Sequence, residues 1–186
     1  IVSKVFTDVD FSNENFPFMT FKVFNYMDTE VRIMRASFTG ELGYEIYIAP
    51  NRGLELWKRI FHYGNAFDLV PYGTETMHLL RAEKGYVVIG QETDGTVTPI
   101  DINFNWMIGK KKKDFIGKRS LTREAFTAED RQKVVGVVPL DKKTSIPEGS
   151  YIVKDPNAKL PNPKLGHVSA SCWSVEYDNP FSLAII

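Results

Sequence analysis

The chain predicts an α+β fold: an antiparallel sheet with packed helices, followed by a small C-terminal antiparallel, β-barrel-like domain. Three stretches of its 186 residues carry that expectation. Residues 16–48 alternate apolar with polar or small side chains, the two-residue period of a half-buried strand. Residues 51–84 change to helical spacing, and from residue 131 short alternating runs return between turns rich in Pro, Gly and Asn. Strands grouped before helices, and not interleaved with them, point to α+β.

The elements follow in order. Phe18 to Phe24 reads as a strand, residues 25–29 as its turn, and Val31 to Ala36 as the next strand. Ser37 to Gly43 reads as a tight turn in which Gly40 and Gly43 adopt backbone conformations closed to other residues, leading into a third strand over Tyr44 to Ile48. A three-strand antiparallel meander results. A helix is expected over 51–66, capped by Asn51, with Leu54, Leu56, Trp57, Ile60, Phe61 and Gly64 near one face. A second helix, 75–84, opens after Pro71-Tyr72-Gly73-Thr74 and ends at Gly85. Gly90, Gly95 and Pro99 break residues 86–105 into loops, and a short helix is expected over 120–126. Residues 131–140, 151–154, 165–173 and 182–186 then read as strands of a small sheet or barrel. A domain boundary is expected near Ala128, giving domains 1–128 and 129–186.

Composition narrows the partners. The 23 basic and 23 acidic residues cancel, which argues against a broad nucleic-acid-binding face; the four lysines Lys110 to Lys113 are the local exception, read as a solvated loop or an anion contact. Cys172 is the single cysteine, so no intramolecular disulfide or paired-cysteine metal site can form, and a reducing, cytoplasmic compartment is expected. No signal-peptide pattern and no run of about 18 apolar residues is present, so no membrane association is expected. The start at Ile1 and the strand-like end at Ile186 lead us to expect a fragment of a longer protein. His62, His78 and His167 are dispersed, which predicts no metal site, and no dinucleotide or phosphate-loop glycine pattern occurs.

Function-bearing candidates cluster at the second strand turn. Glu41 and Glu45 offer acceptors at one corner, where a planar heterocycle with an amide-like N–H and an exocyclic amino group suits a carboxylate; solvated hairpin glutamates are the alternative. Tyr44 alternates to the face opposite Glu45, so a regular strand presents only one of them to a ligand. On the second helix Arg81 is placed either to reach a ligand or to form an ion pair with a strand carboxylate such as Glu41. Trp106 and Trp173 read as walls for a flat ring or as core aromatics.

The run Ser37-Phe38-Thr39-Gly40-Glu41-Leu42-Gly43-Tyr44-Glu45-Ile46 resembles the Tyr-Thr-Gly-Glu-Asp-Gly-x-Glu-Ile signature of the folate-dependent aminomethyltransferases, the family of the glycine cleavage T-protein. Leu80-Arg81-Ala82-Glu83-Lys84-Gly85 and Asp114-Phe115-Ile116-Gly117-Lys118 extend the resemblance. Pro71 to His78 and Gly90 to Pro99 are similar to a branch of that family, the C-terminal portion of heterotetrameric sarcosine oxidase alpha subunits. The resemblance implies tetrahydrofolate as the cofactor of this portion, with Glu45 on the pterin ring and Glu41, Tyr44, Arg81, Trp106 and Trp173 as further folate-binding candidates. It also implies an oxidoreductase acting on a CH–NH donor, with FAD, FMN and NAD elsewhere in the complete enzyme, and beta, gamma and delta subunits as partners. A stand-alone aminomethyltransferase and a non-catalytic folate-binding module are the rival readings.

Met77 departs from the glycine-cleavage pattern, which has an arginine there, four residues before the one matching Arg81. The family's assisting aspartate matches no residue here, so the catalytic residue is unassigned. The isolated chain is expected to be inactive and, with an uncovered sheet, to self-associate.

Overall fold

In the computed structural model, which describes all 186 residues, the chain divides into two units, Ile1–Met77 and His78–Ile186. The first is built on the meander. Strands β1 (Phe21–Tyr26), β2 (Thr29–Met34) and β3 (Glu45–Ile48) pair antiparallel in that order. Met27 and Asp28, with φ of 54° and 58°, form the two-residue link between β1 and β2, the backbone that matches the twist of a hairpin.

Side-chain parity then sorts the sheet. Phe24, Tyr26, Val31, Ile33, Ile46 and Ile48 point inward, and Val31 and Ile33 on the central strand have no exposed surface. The short helix α1 (Val2–Val5) brings Val5 and Phe6 onto the same core, with the Phe6 ring edge-on to Phe24 and Tyr26 at 5.5 and 4.8 Å. Four residues are too few to show a period, and the sequence did not announce this helix.

Helix α2 (Pro50–Gly64) closes the core with Leu56 and, partly buried, Ile60 and Tyr63. Two expectations are corrected here. Asn51 is not the cap, because the helix begins one residue earlier at Pro50, whose missing N–H suits a first-turn position, and Ala49 precedes it without a side-chain bond. Leu54 and Trp57 are not on the core face: the spacing of Leu56, Ile60 and Tyr63 sets the stripe, and both fall outside it, Trp57 instead lying 4.7 Å from the Phe61 ring.

Helix α3 (Thr74–Glu83) ends as expected at Gly85. The Gly85 N–H donates to the Ala82 carbonyl and the Tyr86 N–H to the Arg81 carbonyl, the paired bonds that terminate many helices. In the second unit, a 3₁₀ turn at Ser120–Thr122 and α4 (Glu124–Thr127) replace the single helix expected over 120–126. Strands β4 (Val134–Val137), β5 (Tyr151–Val153), β6 (Lys164–Ser174) and β7 (Asn179–Ile185) form an antiparallel sheet in the order β4-β7-β6-β5. The sheet is open, with β4 and β5 at its edges.

Two small cores serve this unit. Ala82, Ala170 and Leu183 form one; Ile102, Val134 and Ile185 form the other, with Val87, Val97 and Phe104 packed against it. The loops of residues 86–105 are sewn to the strands by polar bonds: the Gln91 amide donates to the Ser169 carbonyl, the Val134 N–H to the Asp101 carbonyl, and the Asn103 amide to the Val134 carbonyl. Those bonds satisfy backbone groups that irregular chain would otherwise leave orphaned.

Candidate functional site

What was expected as a tight turn before β3 is a longer loop, residues 35–44. Gly40 has φ of 80°, as expected of a glycine corner. Gly43 serves differently: its φ is not left-handed, but a Cβ there would lie 2.8 Å from the Ala36 carbonyl oxygen, so the two arms of the loop approach too closely for any side chain. That narrow neck aims the chain into β3.

Tyr44 and Glu45 take opposite faces. Tyr44 turns inward, its ring 5.3 Å from Phe11 and 5.8 Å from Phe16. Glu45 turns outward as the first residue of β3 and is exposed. The register places it in a cross-strand row with Met34 and Phe21, next to a second outward row of Tyr47, Arg32 and Val23. Phe21, Val23 and Tyr47 are all exposed, so the carboxylate stands beside apolar and aromatic surface.

Tyr47, two residues on and therefore on the same face, donates its hydroxyl hydrogen to Glu45 Oε2. That hydrogen bond, followed by the nearby Glu45 charge, pushes the Tyr47 phenol above its ordinary range, and Arg32 opposes the shift. Arg32 also lies over the Phe21 ring, 5.9 Å from its centre. Strand parity alone would have nominated Tyr47 and Arg32, since both share Glu45's outward face. Glu41 lies in the loop and is exposed.

Of the two roles offered for Arg81, the structure shows an ion pair, with Glu92 as a partner. Arg81 is 1% exposed; Nη1 donates to Glu92 Oε2 at 2.8 Å and to the Tyr86 carbonyl at 3.0 Å, while Nη2 donates to Gln91 Oε1 at 2.9 Å. Glu92, wholly buried, also accepts the Val88 N–H at 2.7 Å. No sequence period connects residues 81 and 92, because the chain reverses at Gly85 between them. Asp101 and Arg131 form a second pair in this unit. Burial works to raise the Asp101 pKa, but hydrogen bonds from Arg131, the Thr98 N–H and the Thr98 hydroxyl, with the Arg131 charge, outweigh it and hold the carboxyl below its usual range.

Trp106 sits in a 3₁₀ turn, largely exposed, with its ring 5.7 Å from Phe104, and Trp173 lies half-exposed on β6 opposite Pro180. Neither is a core aromatic. Burial raises the Cys172 thiol. No cluster of three or more His, Cys, Asp or Glu residues is arranged to hold a metal ion, and no helix is long and apolar enough to cross a membrane.

The family model described as the GCVT N-terminal domain matches residues 1–112. The sarcosine oxidase subunit alpha of Corynebacterium sp. (strain P-1) is 44% identical over 189 residues, covering 100% of this chain and 19% of that protein, and that of Rhizobium meliloti (strain 1021) is 37% identical with the same coverage. The aminomethyltransferase of Halothermothrix orenii is 34% identical over 142 residues, covering 76% of this chain and 39% of that one. The chain thus spans about a fifth of the length of the sarcosine oxidase subunits it matches. Among solved structures, the glycine cleavage system aminomethyltransferase T from Bartonella henselae superposes with a TM-score of 0.72 at 22% identity, over 99% of this chain and 48% of that one, a likeness of fold. The chain belongs to the aminomethyltransferase family of the glycine cleavage T-protein, with sarcosine oxidase alpha subunits among its relatives.

Proposed function

We propose that this chain is the tetrahydrofolate-binding part of a sarcosine oxidase alpha subunit. The observation that carries the reading is Glu45, an outward carboxylate steadied by Tyr47 beside Met34 and Phe21, in a chain 44% identical throughout to such a subunit. The residues fit the group. A carboxylate accepts two parallel N–H donors, as the 2-amino group and N3–H of a pterin present them, and neighbouring apolar side chains give the ring a surface to leave water for. Bound tetrahydrofolate would supply the amine nucleophiles that capture the one-carbon unit from sarcosine oxidation as 5,10-methylenetetrahydrofolate. The chain's own part is to bind and orient: Glu45 fixes the ring edge, Tyr47 holds the carboxylate, and Tyr44 anchors β3 from the core side.

In the same reading FAD, FMN and NAD are held elsewhere in the complete enzyme, with beta, gamma and delta subunits as partners. Residues 1–128 would be the C-terminal part of the folate domain and 129–186 a terminal domain, built on the open four-stranded sheet and not on the barrel expected from the sequence; the family match, ending at residue 112, supports the first of these. A stand-alone aminomethyltransferase is the second reading, favoured by the match to the Halothermothrix orenii enzyme but over less of the chain and at lower identity.

The test is Glu45→Ala in the full-length subunit. Tetrahydrofolate affinity by calorimetry should fall by about 2 kcal/mol or more, the cost of removing a charged hydrogen-bond partner, while flavin reduction by sarcosine survives. Unchanged affinity removes Glu45 from the site and with it the reading.

A further inference from the structure

Residues 109–123 take no part in the reading above, yet they concentrate charge. Lys110, Lys111, Lys112, Lys113, Lys118, Arg119 and Arg123 stand against the single acid Asp114, in a chain whose 23 basic and 23 acidic residues cancel only when this segment is included. All seven basic residues are exposed. Beside them runs an open groove of about 540 Å³, walled by Lys112 and by apolar side chains that include Pro99, Ile102, Met107, Ile108 and Leu121. Ile116, also on its wall, is exposed over its whole surface, and Met107 is 61% exposed. Contiguous apolar surface rimmed by charge is characteristic of an interaction site.

The arrangement tells what kind of partner fits. Capture of one small anion needs donors that converge, such as an arginine fork or a nest of backbone N–H groups. Here the lysines follow one another along the chain, Lys118 spends its ammonium on the Lys113 carbonyl, and no arginine walls the groove. Single-stranded nucleic acid is recognised on successive aromatic stacking platforms, whereas these walls are mostly aliphatic, with Phe104 and Phe115 their two aromatic members. Distributed positive charge along an aliphatic channel matches a polypeptide carrying distributed negative charge around an apolar side chain.

We propose that this groove docks an acidic segment of a partner subunit. One of the segment's apolar side chains lies among Met107, Ile116 and Leu121, and its Asp and Glu residues face the lysine run. The inference rests on the reading of the chain as part of a multi-subunit enzyme, since that reading supplies a protein to be held.

The experiment uses the complete enzyme, co-expressed with its subunits, as wild type, as the double variant Lys111→Glu, Lys113→Glu, and as Ile116→Asp. Subunit dissociation is followed by sedimentation and native mass spectrometry at about 50 and about 500 mM NaCl, with tetrahydrofolate binding measured on the same preparations. Both variants should dissociate at least about tenfold more readily at low salt; the defect of the charge variant should shrink at high salt, while that of Ile116→Asp persists. Folate affinity should stay at its wild-type value. Wild-type assembly of both variants at both salts overturns the proposal, as does a fall in folate affinity with assembly intact. An enzyme that purifies as one polypeptide overturns it together with the multi-subunit reading, whereas the folate reading stands or falls separately on Glu45→Ala.

Discussion

Two glutamates, one in each unit, are held in opposite ways. Glu45 lies in the outward face of an open sheet, held by one phenol and otherwise turned to the outside. Glu92 is fully buried, with Oε2 bonded to Arg81 and to the Val88 N–H, so that helix α3 is tied to the loop of residues 86–93. A carboxylate meant for a ligand must keep acceptor capacity at the surface. One that fixes a fold must spend its capacity internally, because an unpaired buried charge costs several kcal/mol. Arg81, which the sequence offered either as a ligand contact or as an ion-pair partner, spends its guanidinium on Glu92, Gln91 and the Tyr86 carbonyl.

Breaking the buried pair therefore gives the largest effect. Arg81→Met leaves Glu92 charged and unpaired among buried atoms, and should destabilise the protein by about 3–5 kcal/mol, the usual cost of removing one member of such a pair. Thermal and urea unfolding of the full-length protein would read it. The double variant Arg81→Met, Glu92→Leu should recover much of the loss, because the orphan charge goes with its partner. The pair is also imperfectly served, since Glu92 Oε1 and Arg81 Nε have no hydrogen-bond partner. Loss from Arg81→Met no greater than that of an ordinary surface change would mean the pair is not a structural tie.

The contrast was only partly legible in the sequence. The meander, helices α2 and α3 and the stop at Gly85 were readable because each rests on local chemistry: side-chain parity, helical spacing, a glycine where the helix must end. Glu45's outward orientation was readable for the same reason. What was not legible depends on chain reversal or on geometry through space. The Arg81 to Glu92 bond crosses a turn and loop with no repeat to count, so the expectation could offer only a strand carboxylate such as Glu41 as the ion-pair partner. The long 35–44 loop was mistaken for a tight turn because its glycines were credited with torsional freedom, whereas Gly43 is required by the close approach of Ala36. Asn51 was given a capping role by residue type, while Pro50 already began the helix.

Acid sharpens the comparison between the units. Asp101 has its pKa lowered in the fold, so the stability it contributes is fully present above the unfolded value of about 3.9 and is lost as pH falls through the lower folded value. Thermal unfolding of the second unit should therefore weaken below about pH 4, and Asp101→Asn should flatten that part of the pH dependence while lowering stability at neutral pH. Hydrogen exchange monitored unit by unit would check it. An acid transition unchanged by Asp101→Asn would show that the Arg131 pair does not govern this unit.

The smallest effect concerns Tyr47, and it tests whether Glu45 is positioned or only present. A carboxylate has about four lone-pair sites, so the two N–H donors of a pterin and the Tyr47 hydroxyl can be accommodated together and need not compete. Tyr47→Phe should then loosen the side chain and weaken tetrahydrofolate binding by about 1 kcal/mol, roughly fivefold and less than Glu45→Ala, because one ordinary hydrogen bond is lost and none is left buried. A separate readout follows from the raised phenol. Alkaline difference absorbance of wild type against Tyr47→Phe should place the Tyr47 ionisation above the usual value of about 10, and Glu45→Gln should return it toward that value by removing the adjacent charge. Full folate affinity in Tyr47→Phe, with the phenol still responding to Glu45, would show that the tyrosine occupies the carboxylate without orienting it.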